Sequence, residues 1–289
     1  KLIINNGILN LRENFKIYWQ NNPIATIEPG KNYLEPKLNL VIDDIMDSNS
    51  TNKLKEFLSE WLKNFIIGEL KDLVYLNKLE LKNNFVRALC YQLFENNGVL
   101  KRENVNEFIT KLTKEDRKEL RNMGVKIGRY HIYLYRIFKP SAVTTRILLW
   151  KNFFRTNLNF SPPKFGLNFL SQETNINQGF MLICGFEKLN NFYVRIDILE
   201  RLFVKIIENN NKNNKIKLES NMMNLLGCTK ENFIKLLESM HYKFDKKDKQ
   251  EEIYFSYRPK RDVKKKIHKR INKNDNPFKM LNNVNFNQR

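Results

Sequence analysis

At 289 residues, with 42% hydrophobic and 12% aromatic side chains, the chain has room for about two domains with packed cores, which excludes a disordered polypeptide. Its 51 Lys and Arg against 31 Asp and Glu leave a formal charge of +20, favouring nucleic acid or another anionic surface through counterion release. Asn, Lys and Ile are all heavily used, as in AT-rich coding, so the placement of the charge carries more information than its total.

The first 45 residues read as a small β unit, with short runs at Leu2–Ile4, Phe15–Trp19, Ile24–Ile27 and Leu38–Ile42 separated by Asn and Gly turn signals. Residues 46–156 read as a helical region. Leu54, Leu58, Trp61, Phe65 and Leu70 recur at helical spacing from Lys53 towards Leu81, and a second helix over Phe85–Glu95 ends at Asn97-Gly98. Short helices follow at Asn104–Leu112 and Lys114–Met123, the latter with Thr113 as N-cap and Asp116 three residues on. Val125, Ile127, Tyr130, Ile132 and Leu134 then alternate as in a strand, and Lys139-Pro140 opens a further helix carrying Ile147, Leu148 and Trp150 on one side. Residues 157–178, rich in Asn, Pro and Ser, read as a linker or long loop, and Phe180–Val194 as strands around Leu189-Asn190-Asn191.

From Ile196 the expectation is helix, short helix, Gly227-Cys228 turn, a helix over Lys230–Met240 capped by Thr229, and a hairpin of Tyr242–Phe244 with Ile253–Tyr257. That is the order of a winged helix-turn-helix, so residues 179–258 are expected to form a winged-helix-like unit. Residues 259–289 are a basic tail. The fold class expected overall is α+β, mainly helical.

Charge concentrates in two places. From Leu120 to Trp150 there are six basic residues and no acidic one, interleaved with aromatics. Cations there can neutralise phosphates while aromatic faces stack bases, which makes Arg121, Lys126, Arg129, Tyr130, His131, Lys139 and Arg146 candidate nucleic-acid contacts. On period-two logic, Tyr130 shares a face with Ile132 and Leu134, and His131, Tyr133 and Tyr135 the opposite one; a structural role is the stronger reading for His131. From Arg258 to Arg289, eleven Lys or Arg stand against two acidic residues, a net of +9. Lys246, Lys247 and Lys249 in the wing, then Arg258, Lys260, Arg261, Lys264, Lys265 and Lys266, are the further candidates. The expected recognition helix shows Lys230 and Lys235 against Glu231 and Glu238, so base-specific major-groove reading is not expected of it.

Little points to catalysis. G-x-x-x-x-G-K-[ST] is absent, and the three His form neither H-E-x-x-H nor a cluster with Cys. Asp43-Asp44 and the Asp197, Glu200 pair have the chemistry for Mg²⁺, but Arg195 and Arg201 are nearer partners for the second pair. Cys90, Cys184 and Cys228 are far apart, which supports neither disulfides nor zinc and fits a reducing compartment. No run of about 18 apolar residues occurs and KLIINNGILN carries no signal-peptide pattern, so a cytoplasmic protein with no membrane partner is expected. The chain starts without Met and is read as the C-terminal piece of something longer.

Several ordered motifs carry a family resemblance. They are Trp61-Leu62, ALCYQLFENNGVLKR at Ala88–Arg102, LRNMGVKIGRYHIYLYRIFKPSAVTTRILLW at Leu120–Trp150, Pro162-Pro163 with Gly166-Leu167, Gly185-Phe186, VRIDILERL at Val194–Leu202, LLGC at Leu225–Cys228 and NPF at Asn276–Phe278. Together they resemble the C-terminal accessory region of alphaproteobacterial superfamily two helicases of the DExH, mitochondrial-degradosome type. Tyr135 departs from the pattern, standing where that family usually has proline. The resemblance implies a whole protein that is an ATP-dependent RNA or DNA helicase. Its motor, with ATP and Mg²⁺, would lie upstream, and this portion would need no cofactor while holding or guiding the strand, mainly by its backbone. From the residues alone, the reading is a basic nucleic-acid-binding or ribonucleoprotein-associated protein. A stand-alone winged-helix factor in replication or transcription is the alternative, and a basic recognition helix would be its mark.

Overall fold

The computed structural model describes residues 9–41, 47–76, 83–155, 161–171, 177–209, 215–245 and 253–258. It combines helices with small antiparallel sheets. Strands β1 (Leu9–Leu11), β2 (Lys16–Trp19), β3 (Asn22–Glu28) and β4 (Lys37–Leu40) form a four-stranded meander in that order, as expected of the N-terminal segment. The expected strand at Leu2–Ile4 lies outside the described residues. Ile17, Ile24 and Ile27 turn inward, and the meander shares one core with the helices that follow.

Helix α1 (Ser48–Leu76) buries Leu58, Leu62, Ile66 and Leu73, and bends at Leu70, whose φ of −122° and ψ of 31° leave the helical region. Its expected end near Leu81 falls in 77–82, outside the described residues. In α2 (Asn84–Glu95) the Asn83 side chain accepts from the Phe85 N–H at the start, and Asn97 and Gly98 at positive φ turn the chain into β5 (Val99–Lys101). Instead of one helix over Asn104–Leu112, a 3-10 turn (Arg102–Val105) leads into α3 (Asn106–Thr110). Helix α4 (Lys114–Asn122) begins with a full capping box: Thr113 accepts from the Asp116 N–H while the Asp116 carboxylate accepts from the Thr113 N–H.

The alternating run after it is not a single strand. It folds into a hairpin, β6 (Val125–Ile127) and β7 (His131–Leu134), and β7 is the centre of a sheet ordered β5-β7-β6. All four β7 residues are buried, so the expected division into an inner and an outer face fails. A central strand covered on both sides has no solvent face to alternate with. Tyr135 opens a 3-10 turn (Tyr135–Phe138) that ends the strand, and Pro140, at the first position of α5 (Pro140–Phe154), costs no hydrogen bond there.

Two further corrections concern residues 157–194. The expected linker contains β8 (Phe169–Ser171), which pairs with β10 (Phe192–Arg195) beside β9 (Phe186–Leu189). A three-residue strand carries no readable period, and its partner lies beyond another element. The segment Gln178–Ile183 is helix α6, with Asn177 as cap, so that the run from Phe180 begins as helix and not as strand; Asn190 at φ 52° closes the β9-β10 turn as expected.

The C-terminal unit runs α7 (Ile196–Glu208), β11 (Ile216–Lys217), α8 (Ser220–Leu226), α9 (Lys230–Ser239), β12 (Tyr242–Asp245) and β13 (Tyr254–Tyr257). Left-handed Gly227 ends α8, and the Thr229 hydroxyl accepts from the Asn232 N–H to start α9. The sheet order is β11-β13-β12; strand β11 had no signal in the sequence. Leu199, Leu202, Phe203, Met222, Phe233, Leu236 and Phe255 form this unit's core, on which Tyr130 of the β6-β7 turn also packs.

Candidate nucleic-acid interface

The β6-β7 turn, Gly128 to Tyr130, is held from outside its own hairpin. The Glu200 carboxylate on α7 accepts from three successive backbone N–H groups, those of Arg129, Tyr130 (2.9 Å) and His131 (2.7 Å), and meets the His131 Nδ1 at 3.2 Å. A carboxylate has acceptor sites for all of these, so Glu200 is satisfied although buried. Gly128 makes the approach possible: a Cβ there would collide with the Glu200 carboxylate. On the other side of the imidazole, Nε2 lies 3.4 Å from Glu187, whose second oxygen pairs with Lys101 Nζ at 2.8 Å.

Burial by itself would lower the His131 pKa, but hydrogen bonding and charge from the two carboxylates outweigh it and the pKa is raised. For Glu187, burial pushes up, and His131 with Lys101 pull harder in the other direction, leaving it below its usual value. His131 is 2% exposed. It is a buried electrostatic link between β7, β9 and α7, in line with a structural role.

Beside this link lies a groove of about 440 Å³ whose wall includes Lys101, Arg102, Arg129, Tyr130, His241 and Tyr257. It runs between the β5 and β6-β7 side and the C-terminal unit. Tyr130 packs its ring 4.2 Å from that of Phe203, and Tyr242 stands 5.2 Å from Tyr257 by ring centroids. Burial, with a smaller push from Tyr257, raises the Tyr130 hydroxyl to about 12 against the pull of the Arg129 guanidinium bonded to it. Burial likewise raises Tyr242, on which Tyr130, Arg129 and Tyr257 also act. Four side chains, two from the β6-β7 turn and one each from β12 and β13, therefore converge. Tyr257 keeps 41% of its surface exposed and Arg129 is exposed, which leaves one aromatic face and one guanidinium open to solvent.

The residues singled out from sequence divide clearly. Arg129 and Tyr130 come together at the groove; Arg258 follows the groove's Tyr257 in sequence and shows there only a backbone N–H donating to the His241 carbonyl at 2.9 Å. Lys126 is exposed on β6 with Nζ 5.4 Å above the Tyr135 ring, and Arg121 and Lys139 are exposed at the end of α4 and the start of α5. Arg146 is a correction. It is 1% exposed, with Nη2 donating to the Asn97 carbonyl at 2.9 Å, so it cannot reach a phosphate. It follows the apolar stripe of α5 inward, which its charge in the sequence concealed. Lys246, Lys247, Lys249, Lys260, Arg261, Lys264, Lys265 and Lys266 lie outside the described residues, as do Asp43 and Asp44.

Lys101, Arg102, His241 and Tyr257 were missed as site residues. The β5-β7 register places Lys101 opposite His131, a long-range pairing with no local trace. Asp197 does pair with Arg195, at 2.7 and 2.8 Å, whereas Glu200 turns to the hairpin. Among the described residues no group of three or more His, Cys, Asp or Glu is arranged to hold a metal ion, and no helix is long and apolar enough to cross a membrane. No family model, no curated protein and no solved structure matches this chain.

Proposed function

We propose that the chain binds nucleic acid in the groove between the β6-β7 turn and the C-terminal unit, mainly through the phosphate backbone. The observation that carries this reading is the convergence of Arg129, Tyr130, Tyr242 and Tyr257, which offers a fixed cation beside an open aromatic face. A guanidinium on a phosphate and a tyrosine under a base are the two elements of sequence-tolerant single-strand binding. Lys101 and Arg102 add positive charge to the same wall, against Glu103 and the Lys101-paired Glu187.

The order α7, β11, α8, α9, β12, β13 with its β11-β13-β12 sheet supports a winged-helix module. Its α9 exposes Lys230 and Lys235 with Glu231 and Glu238, a balanced face that gives phosphate no net attraction. The strand is therefore held at the groove, and the module serves as one wall of it. With the motif order described above, this fits an accessory region that guides a strand beside an ATP-driven helicase motor in the same polypeptide.

The test is a salt titration of binding to single-stranded RNA and DNA, comparing the parent with Arg129→Ala and Tyr257→Ala. Arg129→Ala should lower the slope of log K against log salt by about 1. Tyr257→Ala should weaken binding by about 1 to 3 kcal/mol and leave that slope unchanged. Parent-like binding by both folded variants would sink the proposal.

A further inference from the structure

A second feature, sharing no lining residue with the groove, is a cavity of about 600 Å³ between the loop and strand over Asn32–Asn39 and one face of α1. Its floor is apolar, formed by Leu34, Leu38, Leu62, Ile66 and Phe94. At its rim stand Lys37, Lys55 and Lys63, all exposed, against Glu35. No ion pair engages these three lysines among the described residues.

The strand that borders this cavity is an open edge. In the order β1-β2-β3-β4, β4 pairs, among the described residues, only with β3. The Val41 N–H donates to the Ile24 carbonyl, and Ile27 N–H is turned the other way, to the Phe15 carbonyl of the β1-β2 side. Hydrogen-bonded and non-bonded pairs alternate along an antiparallel ladder, so Asn39 and Lys37 bond to β3, and Leu38 and Leu40 turn their main-chain N–H and C=O outward. An apolar floor, an unpaired strand edge and a cationic rim thus occur at one place.

We infer that this cavity receives an extended acidic peptide, which adds as a fifth strand to β4 with alternate apolar side chains on the floor and alternate carboxylates towards Lys37, Lys55 and Lys63. Strand addition draws its affinity from the main chain and its specificity from alternate side chains. The charge pattern selects the occupant. A second copy of β4 would bring Lys37 towards the same lysines, and like charges facing each other are unfavourable. A strand alternating Glu with Val or Ile satisfies both the floor and the rim. From Lys55 to Val74 the helix wall runs about 28 Å at about 1.5 Å per residue, the length of about eight extended residues. The inference does not depend on nucleic-acid binding in the groove.

The experiment uses fluorescence anisotropy with the intact chain and a labelled peptide of about eight residues alternating Val and Glu. Controls are a peptide of the same composition with the alternation scrambled, and an alternating peptide N-methylated on the edge-facing amides. Binding should weaken at least about tenfold for both controls and for the exposed double variant Lys55→Glu with Lys63→Glu. Equal binding of the alternating and scrambled peptides would mean attraction to the overall positive charge and would overturn the inference. So would indifference to N-methylation, no binding by the folded parent, or a concentration-dependent dimer that competes with the peptide.

Discussion

The carboxylate of Glu200 and the imidazole of His131 meet at 3.2 Å across 69 residues of sequence, and the same carboxylate binds the backbone of the turn that carries Arg129. One side chain of α7 therefore fixes both the electrostatic link and the placement of the groove's exposed cation. That double role makes Glu200 the position whose alteration should be felt in stability and binding together.

Replacing Glu200 by Gln keeps the shape but leaves one oxygen to accept where two did, and turns an amide N–H₂ towards backbone donors. Loss of charge-assisted bonds of this kind costs about 1.5 to 3 kcal/mol each. Urea unfolding of Glu200→Gln should show a loss of about 3 kcal/mol, with weaker single-strand binding at temperatures where the variant is still folded. An unchanged midpoint would mean that the carboxylate does not bear on the turn.

Stability should depend on pH through the same link. The folded-state pKa of His131 is raised above 6.5, so its contribution is complete below about 6.5 and is lost as pH rises through the raised value. Glu187 is depressed below 4.5, so its contribution is present above about 4.5 and is lost as pH falls through the lowered value. Both are whole between these limits. Unfolding measured from about pH 4 to about pH 9, a range that brackets both limits, should show a decline on the alkaline side that His131→Gln flattens. A His131→Gln profile parallel to the parent's would assign the decline to other groups.

Arg146 gives an opposite kind of prediction. Among the described residues its Nε and Nη1 find no hydrogen-bond partner, and burial depresses its pKa against the opposing pull of Tyr33 and Cys184. Replacing a buried charge by an apolar side chain of similar length is often neutral or stabilising by about 1 to 4 kcal/mol. Arg146→Met should raise or preserve the melting temperature and leave nucleic-acid affinity unchanged. A loss of affinity with the fold intact would return Arg146 to the binding surface.

Gly185 offers a purely steric test. At φ 91° it occupies the left-handed region, and a Cβ there would lie 2.8 Å from the Phe138 ring. Gly185→Ala should destabilise by about 1 to 3 kcal/mol through backbone strain and overpacking, read by thermal unfolding. The further substitution Phe138→Leu should recover part of that loss if the ring is the obstacle.

The parts legible in the sequence were those governed by short-range physics. The α1 stripe, the Thr113 and Thr229 caps, the Asn97-Gly98 and Asn190 turns and the run of helices and hairpin from Ile196 follow from spacing and turn chemistry. What escaped is pairing at a distance. Strands β8 and β11 are two or three residues long and exist because β10 and β13 supply their hydrogen bonds. The hairpin over Val125–Leu134 has the pattern of one strand because apolar alternation continues through a turn whose geometry is set by Glu200, far along the chain. The site was half visible for the same reason. Arg129 and Tyr130 stood out by type, whereas Lys101, His241 and Tyr257 acquire meaning only when the two sides of the groove meet.

The amides of Arg129, Tyr130 and His131 have a further use. Most protected amides in a hairpin exchange with deuterated solvent when the hairpin itself opens, because their acceptors lie on the neighbouring strand. These three bond to a side chain on α7. Their exchange requires only that α7 draw back from the turn, and the flanking β6-β7 ladder need not break. They form a built-in gauge of the joint between the two halves of the groove. Its reading relative to Ile132 and Leu134 separates motion at that joint from unfolding of the sheet.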